Sequence, residues 1–227
     1  MNMDIFLYLL FGFLDVIAIL ALIFKIFSFP FFKYAKEITI IGVTLSIVSY
    51  FNRFWLDLIP FDPAIQLFIM IIFFRYLIKL RLFESLSTVS IGSCSFIGIQ
   101  VIVYLILLNT GVVTLNDAQS LTNLGTYIIQ ISTHLSCYLI SFVLYRFNLG
   151  FSHIYSPPHD IHIRYRKTTL QKLTIFASVI GIIAVSCVLY WIFNYASGAY
   201  IILLSVLGSL IVLIYLSYLS DYTRETP

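Results

Sequence analysis

Seven runs of apolar residues, each close to the thickness of a lipid bilayer, dominate a chain of only 227 residues. They fall at roughly 5–24, 38–58, 63–80, 87–109, 121–145, 173–195 and 199–219. A helix needs about 20 consecutive apolar residues to cross the hydrocarbon core, so the runs predict seven transmembrane helices. The composition agrees. It is 61% hydrophobic and 10% charged, against about 45–50% apolar and about 25% charged in soluble domains. The expected fold class is all-α: a polytopic membrane helix bundle forming a single integral membrane domain over 1–227. The N-terminal stretch MNMDIFLYLLFGFLDVIAILALIFK has no basic n-region and no small-residue cleavage site, so it reads as a first span and not as a signal peptide.

Charge gives the bundle a direction. If seven spans alternate, twelve of the thirteen basic residues fall on one side. Lys25, Lys33 and Lys36 lie between spans one and two, and Arg75, Lys79 and Arg81 at the end of span three. Arg146, Arg164, Arg166, Lys167 and Lys172 surround the long loop 146–172, and Arg224 is in the tail. The other side keeps Arg53, with Asp4, Asp57, Asp62 and Asp117. Lys and Arg gather in cytoplasmic loops, so the N-terminus is expected outside, and loop 146–172 and the C-terminus in the cytoplasm. The short third run implies snorkelling by Arg75 and Lys79. Asn194–Gly198 is short enough to make spans six and seven a tight hairpin.

The basic loop is a poor candidate for metal chemistry. His159 and His162 form an H-x-x-H pair near His153, but Pro157 and Pro158 break any helix there and only Asp160 is a nearby carboxylate. Cys94, Cys137 and Cys187 sit far apart within apolar runs, which gives neither a disulfide framework nor a zinc site. No metal and no cofactor is expected.

Polar residues at helical spacing mark faces turned away from lipid. Thr39, Gly42, Ser46, Ser49 and Arg53 form such a stripe in the second run; Ser90, Ser93, Gln100 and Tyr104 form one in the fourth. The fifth run carries the most polar one: Asn123, Tyr127, Gln130, His134, Cys137 and Ser141. Asp15, Gln100 and His134 reach a similar depth, about ten, nine and thirteen residues from the outer surface. A carboxylate at that depth needs a partner, and His134 is the mid-membrane imidazole on offer. An intramembrane Asp15–His134 pair is therefore expected, direct or through Gln100 or water. Such a pair suits a structural tie, a proton relay or part of a ligand pocket.

Arg53 and Asp57, four residues apart, are placed to pair along one helix face; alternatively Arg53 meets Asp62 or the carboxylate of an external ligand. The ligand-binding candidates are thus Arg53, Asp57, Gln100 and Gln130. No phosphate-binding loop, dinucleotide fingerprint or hydrolase motif occurs. His134 and Cys137 share a face, but a thiolate chemistry there lacks an oxyanion donor and access to either surface. No enzyme activity and no catalytic residue is expected.

Three segments, TLSIVSYFNRFWLDLIP, GIQVIVYLILLNTG and YLISFVLYRFNLGFSHIYSP, resemble the N-terminal multi-span membrane sensor region of Gram-positive bacterial sensor histidine kinases, which share a layout with peptide-pheromone receptors. The likeness extends over nearly the whole chain, to the closing YLSYLSDYTRE. In that family the last span continues into a phospho-accepting helix and an ATP-binding domain, whereas this chain ends at Pro227. The resemblance implies a bacterial cytoplasmic-membrane sensor module without its kinase. Its partners would be the lipid bilayer, a small-molecule or peptide ligand from outside, and a cytoplasmic or membrane signalling protein, with no nucleic acid. The rival reading is a transporter or transporter accessory subunit using the Asp15–Gln100–His134 layer. The six prolines all lie in or beside connectors, and no internal repeat is evident, which disfavours a stand-alone transporter.

Overall fold

The computed structural model describes residues 2–114, 116–117, 120, 123–152, 154, 172–183 and 199–225. These form seven α-helices and one short 3₁₀ turn. The helices are α1 (Asn2–Ile26), α2 (Ala35–Phe54), α3 (Asp62–Tyr76), α4 (Leu82–Asn109), α5 (Leu124–Phe147), α6 (Lys172–Ile183) and α7 (Ala199–Glu225). The 3₁₀ turn, Phe31–Tyr34, leads into α2. No strand occurs among the described residues. Most of the basic loop with its three histidines, Cys187 and the Asn194–Gly198 turn lie outside the described residues.

Four helices are long and apolar enough to cross a membrane: Ile5–Ile26, Leu82–Asn109, Leu124–Phe147 and Leu204–Tyr222. With 15 residues, α3 reaches only about 22 Å, short of the ~30 Å hydrocarbon core. The described part of α6 is likewise short.

Cross-helix contacts fix the relative directions. On α1, Phe11, Asp15 and Lys25 meet Tyr127, His134 and Tyr145 of α5 in the same order, so these two run parallel. Contacts of Leu9 with Ser46 and of Phe13 and Ile17 with Gly42 set α2 antiparallel to α1. Ser178 lies against Ser87 and Ser90, and Gly181 against Ser90 and Cys94, so α6 follows α4. Contacts of Gly98 with Leu207 and of Cys94 with Ser209 set α7 antiparallel to α4. Asp62 of α3 bonds Ser49, the partner of Tyr8, and Phe74 meets Phe24, so α3 runs with α1, while the short link from Tyr76 to Leu82 turns the chain back to pack α4 on α3. Directions therefore alternate along these helices.

Helix ends follow from local chemistry. The backbone N–H of Arg81 donates to Glu84 Oε2 (3.0 Å), closing a capping box on α4. Ser28 (φ 54°) and Asn148 (φ 52°) take the left-handed conformation just after α1 and α5. Phe29 N then reaches Phe24 O (2.7 Å) and Leu149 N reaches Leu144 O (3.1 Å), which satisfies carbonyls that a helix end leaves bare. Around the first of these ends, Phe24 meets Phe29, Phe31, Tyr34 and Phe74 edge-on, with ring centroids 5.7–6.4 Å apart. Such pairs are worth about 0.5–1.5 kcal/mol each beyond area burial, so the cluster locks α1, the 3₁₀ turn and α3 together at the basic end.

Close approach elsewhere relies on small residues. A Cβ on Gly42 would meet the Phe13 ring at 2.8 Å, and one on Gly92 would collide with Ile23. These glycines let α2 and α4 pack directly on α1, the usual device where lipid offers no hydrophobic drive for helix association. Packed against α1, α3, α5 and α7, α4 is the central helix. It is buried round most of its circumference between Glu84 and Gly98, serines included. A stripe description of α4 is too narrow for that reason.

Candidate functional site

Two polar clusters flank α1, and each is centred on an aspartate.

The first joins α1, α2 and α3. Asp62 lies in the first turn of α3, next to Pro63, where a carboxylate favours the helix N-terminus and proline needs no hydrogen bond. Its side chain is fully buried (0% exposed) and accepts four hydrogen bonds. Ser49 Oγ (2.9 Å), Arg53 Nε (2.6 Å) and Gln66 Nε2 (2.9 Å) donate to Oδ2, and Asn52 Nδ2 (3.0 Å) donates to Oδ1. Because the single proton of Ser49 is committed to Asp62, the Tyr8 hydroxyl donates to Ser49 Oγ (2.9 Å). One carboxylate thereby ties three helices.

Of the alternatives for Arg53, the pair with Asp62 forms and the pair with Asp57 does not. Since α2 ends at Phe54, Asp57 is not on the helix. It takes a left-handed conformation (φ 52°) in the turn closed by Leu58 N to Asn52 O (2.8 Å), and its side chain is exposed. Helical i,i+4 spacing does not apply across a helix end. Arg53 faces Asp62 instead. Arg53, the residue proposed for an external carboxylate, is already engaged by Asp62, and Asp57, the other ligand-binding candidate at this end, makes no ion pair with it.

The second cluster joins α1 and α5. Gln130 and His134 are one turn apart on the face of α5 that carries Tyr127, which packs on Phe11 (4.6 Å between centroids). His134 Nε2 lies 2.6 Å from Asp15 Oδ1, and Gln130 Nε2 donates to Oδ2 (3.2 Å). An ionised carboxylate only accepts, so Nε2 is the donor of this contact when Asp15 is ionised. The His134 side chain is 6% exposed and that of Asp15 is 26% exposed. Gln130 Oε1 is buried and accepts no hydrogen bond. The layer therefore differs from the first cluster in two respects: its carboxylate keeps an open side, and it contains a buried acceptor in want of a donor.

Gln100 does not join this layer. Half-buried on α4, it hydrogen-bonds neither Asp15 nor His134. Similar depth put three residues on one level, but only two of their helices turn those residues toward each other. The remaining stripe positions have ordinary packing roles. Ser46 Oγ donates to Leu9 O (2.7 Å) and Ser90 Oγ to Ser178 O (3.1 Å), while Thr39 bonds its own helix at Ala35. Cys137 is fully buried beside the layer, and no hydrogen bond joins it to His134.

Three residues central to the first cluster were not singled out from sequence: Asn52, Gln66 and Tyr8. A signal existed for two of them. Asn52 extends the Ser49/Arg53 face at i+3, and Gln66 is one turn after Asp62. At the same end of the molecule, the backbone N–H and hydroxyl of Thr114 both donate to Asp117 (2.8 Å each). These bonds hold that exposed carboxyl below its usual range.

No protein-family model, curated protein or solved structure matches the chain. The helices and the two buried aspartate clusters define an all-α protein built for a lipid environment.

Proposed function

We propose that this chain is a seven-span membrane sensory or regulatory domain, with its N-terminus outside and its C-terminus in the cytoplasm. Its detecting element is the Asp15–Gln130–His134 layer between α1 and α5. Alternating helix directions support the count, and the basic residues gathered at one end support the orientation. The resemblance to the membrane regions of sensor histidine kinases points the same way.

The observation that carries the reading is the connection at the far end of α5. Phe151 N donates to Ile26 O at the end of α1 (2.6 Å), and Ser152 donates through N (3.1 Å) and Oγ (3.2 Å) to Asp221 Oδ1 near the end of α7. A ligand or proton that competes for Asp15 frees α5 from α1 at mid-depth. The 148–152 link then passes the displacement to the segment leading to the C-terminus. An element with two arrangements, biased at one end and read at the other, is what a signalling domain requires.

The test weakens the contact by substitution, because Asp15→Asn removes the charge while keeping the shape. Full-length protein in liposomes carries spin labels at Phe147 and Tyr222, both exposed. Asp15→Asn and His134→Gln should each change the distance between them from its parent value, and an unchanged distance in both would overturn the reading. Proton flux into the vesicles that disappears in Asp15→Asn would overturn the sensory reading in favour of transport.

A further inference from the structure

A half-open crevice of about 380 Å³ lies between α1, α4, α5 and α7. Leu22 and Ile26 of α1, Ile140 and Leu144 of α5, and Leu207 and Leu210 of α7 line it. Along α4 it follows the helix from Ile91 to Ile102, a rise of about 16 Å. The crevice is thus elongated along α4, the shape that an extended hydrocarbon chain fills. Ser95 is the polar side chain on the wall, and its hydroxyl proton is already given to Ile91 O (2.8 Å). The crevice therefore offers a ligand length and apolar contact, with little to hydrogen-bond.

Its mouth is different. Leu22, Ile26 and Leu144 belong to the last two turns of α1 and α5, which also carry Lys25 and Arg146. Lys25 Nζ sits 4.3 Å from the centroid of the Tyr145 ring, which holds it beside the crevice without neutralising it. Neither Lys25 nor Arg146 has an ion-pair partner among the described residues. Among the described residues Lys25 is thus an uncompensated cation beside the end of the apolar slot, whereas Arg146, two residues on from Leu144, lies on the opposite face of α5.

We infer that this crevice binds one acyl chain of an anionic phospholipid, with Lys25 meeting the phosphate. The chain replaces loosely packed lipid in the slot, and Lys25 selects the headgroup through its attraction to negative charge at the membrane surface. The inference requires these helices to lie in a bilayer but does not depend on the sensory reading.

Native mass spectrometry of the full chain released from nanodiscs of equal parts phosphatidylcholine and phosphatidylglycerol tests it. The parent should retain one phosphatidylglycerol. Lys25→Gln should cut the preference for phosphatidylglycerol about fivefold, and Arg146→Gln should leave it within about twofold. Ser95→Trp, which fills the slot, should lose the retained lipid while remaining monodisperse and helical. Equal retention of both lipids by the parent, or full retention in Ser95→Trp, would overturn the assignment. Should Ser95→Trp fail to fold, Lys25→Gln decides, and an unchanged preference there refutes the site.

Discussion

Asp62 and Asp15 pose the same physical problem and receive opposite treatment. Both are carboxylates on apolar helices, where an unpaired charge costs several kcal/mol. Asp62 is fully buried and takes four donors from two helices, one of them a guanidinium, with Tyr8 of α1 added through Ser49. Asp15 keeps a quarter of its side-chain surface exposed and has two donors from one neighbouring helix. Beside it, Gln130 Oε1 remains without a donor. A cluster with every group satisfied rigidifies its surroundings, whereas a partly satisfied one retains alternatives. The first cluster fixes α1, α2 and α3 as one body. The second is the joint at which α5 can move against it.

The largest expected effect breaks the rigid side. Asp62→Ala strands Arg53 and removes the shared acceptor of Ser49, Asn52 and Gln66. Losing one partner of a buried charge pair costs about 3–5 kcal/mol, and the partial exposure of Arg53 places this case near the lower value. Thermal unfolding in detergent should register it as the most destabilised of these variants. A loss below about 1 kcal/mol would remove the distinction between a rigid and a mobile aspartate.

Next comes Asp15→Asn, which keeps the shape and one acceptor for His134 but removes the charge. A charge-assisted hydrogen bond contributes about 1.5–3 kcal/mol, and the exposed edge of Asp15 reduces that. A loss of about 1–2 kcal/mol is expected in the same measurement. A double-mutant cycle with His134→Gln should return a coupling of about 1 kcal/mol, because the two side chains are in direct contact. Zero coupling would mean that α1 and α5 are held together by packing alone.

How much of this was readable beforehand follows from the same two aspartates. The Asp15–His134 contact is legible because both groups interrupt long apolar runs at matching depth, and mid-membrane partners are scarce. Depth says nothing about azimuth, however, so Gln100 shares the level and still faces elsewhere. The Asp62 cluster was legible only in part. Ser49 and Arg53 stand on one face of a clear helical pattern, but their true partner depends on where α2 ends. That end is set by the turn through Asp57 and the start of α3 by Asp62–Pro63, and element boundaries are the feature that periodicity constrains least. The circumferential burial of α4 was invisible for a related reason: lipid and protein interior are both apolar, so hydropathy alone does not tell a central helix from a peripheral one.

Gln130→Leu probes the unsatisfied acceptor. The substitution removes a 3.2 Å hydrogen bond to Asp15 together with a buried carbonyl that has no donor. Losing the bond costs about 0.5–1.5 kcal/mol, and relieving the unpaired group returns a similar amount. The net change should stay within about 0.5 kcal/mol in thermal unfolding. A large destabilisation would show that Gln130 completes a rigid tie like that at Asp62.

The smallest effect belongs to Asp57→Ala, and its value lies in being small. Asp57 is exposed, lies beyond the end of α2 and shares no hydrogen bond with Arg53. Its left-handed backbone (φ 52°) is the feature at stake, since aspartate tolerates that region better than alanine does. A change of about 0.5 kcal/mol or less is expected, and Asp57→Gly should recover it, because glycine adopts the same backbone without strain. Recovery by glycine assigns the residue to the turn alone. If Asp57→Gly instead destabilised as much as Asp62→Ala, Arg53 would be dividing its charge between two carboxylates, and the outer cluster would be as open to exchange as the layer around Asp15.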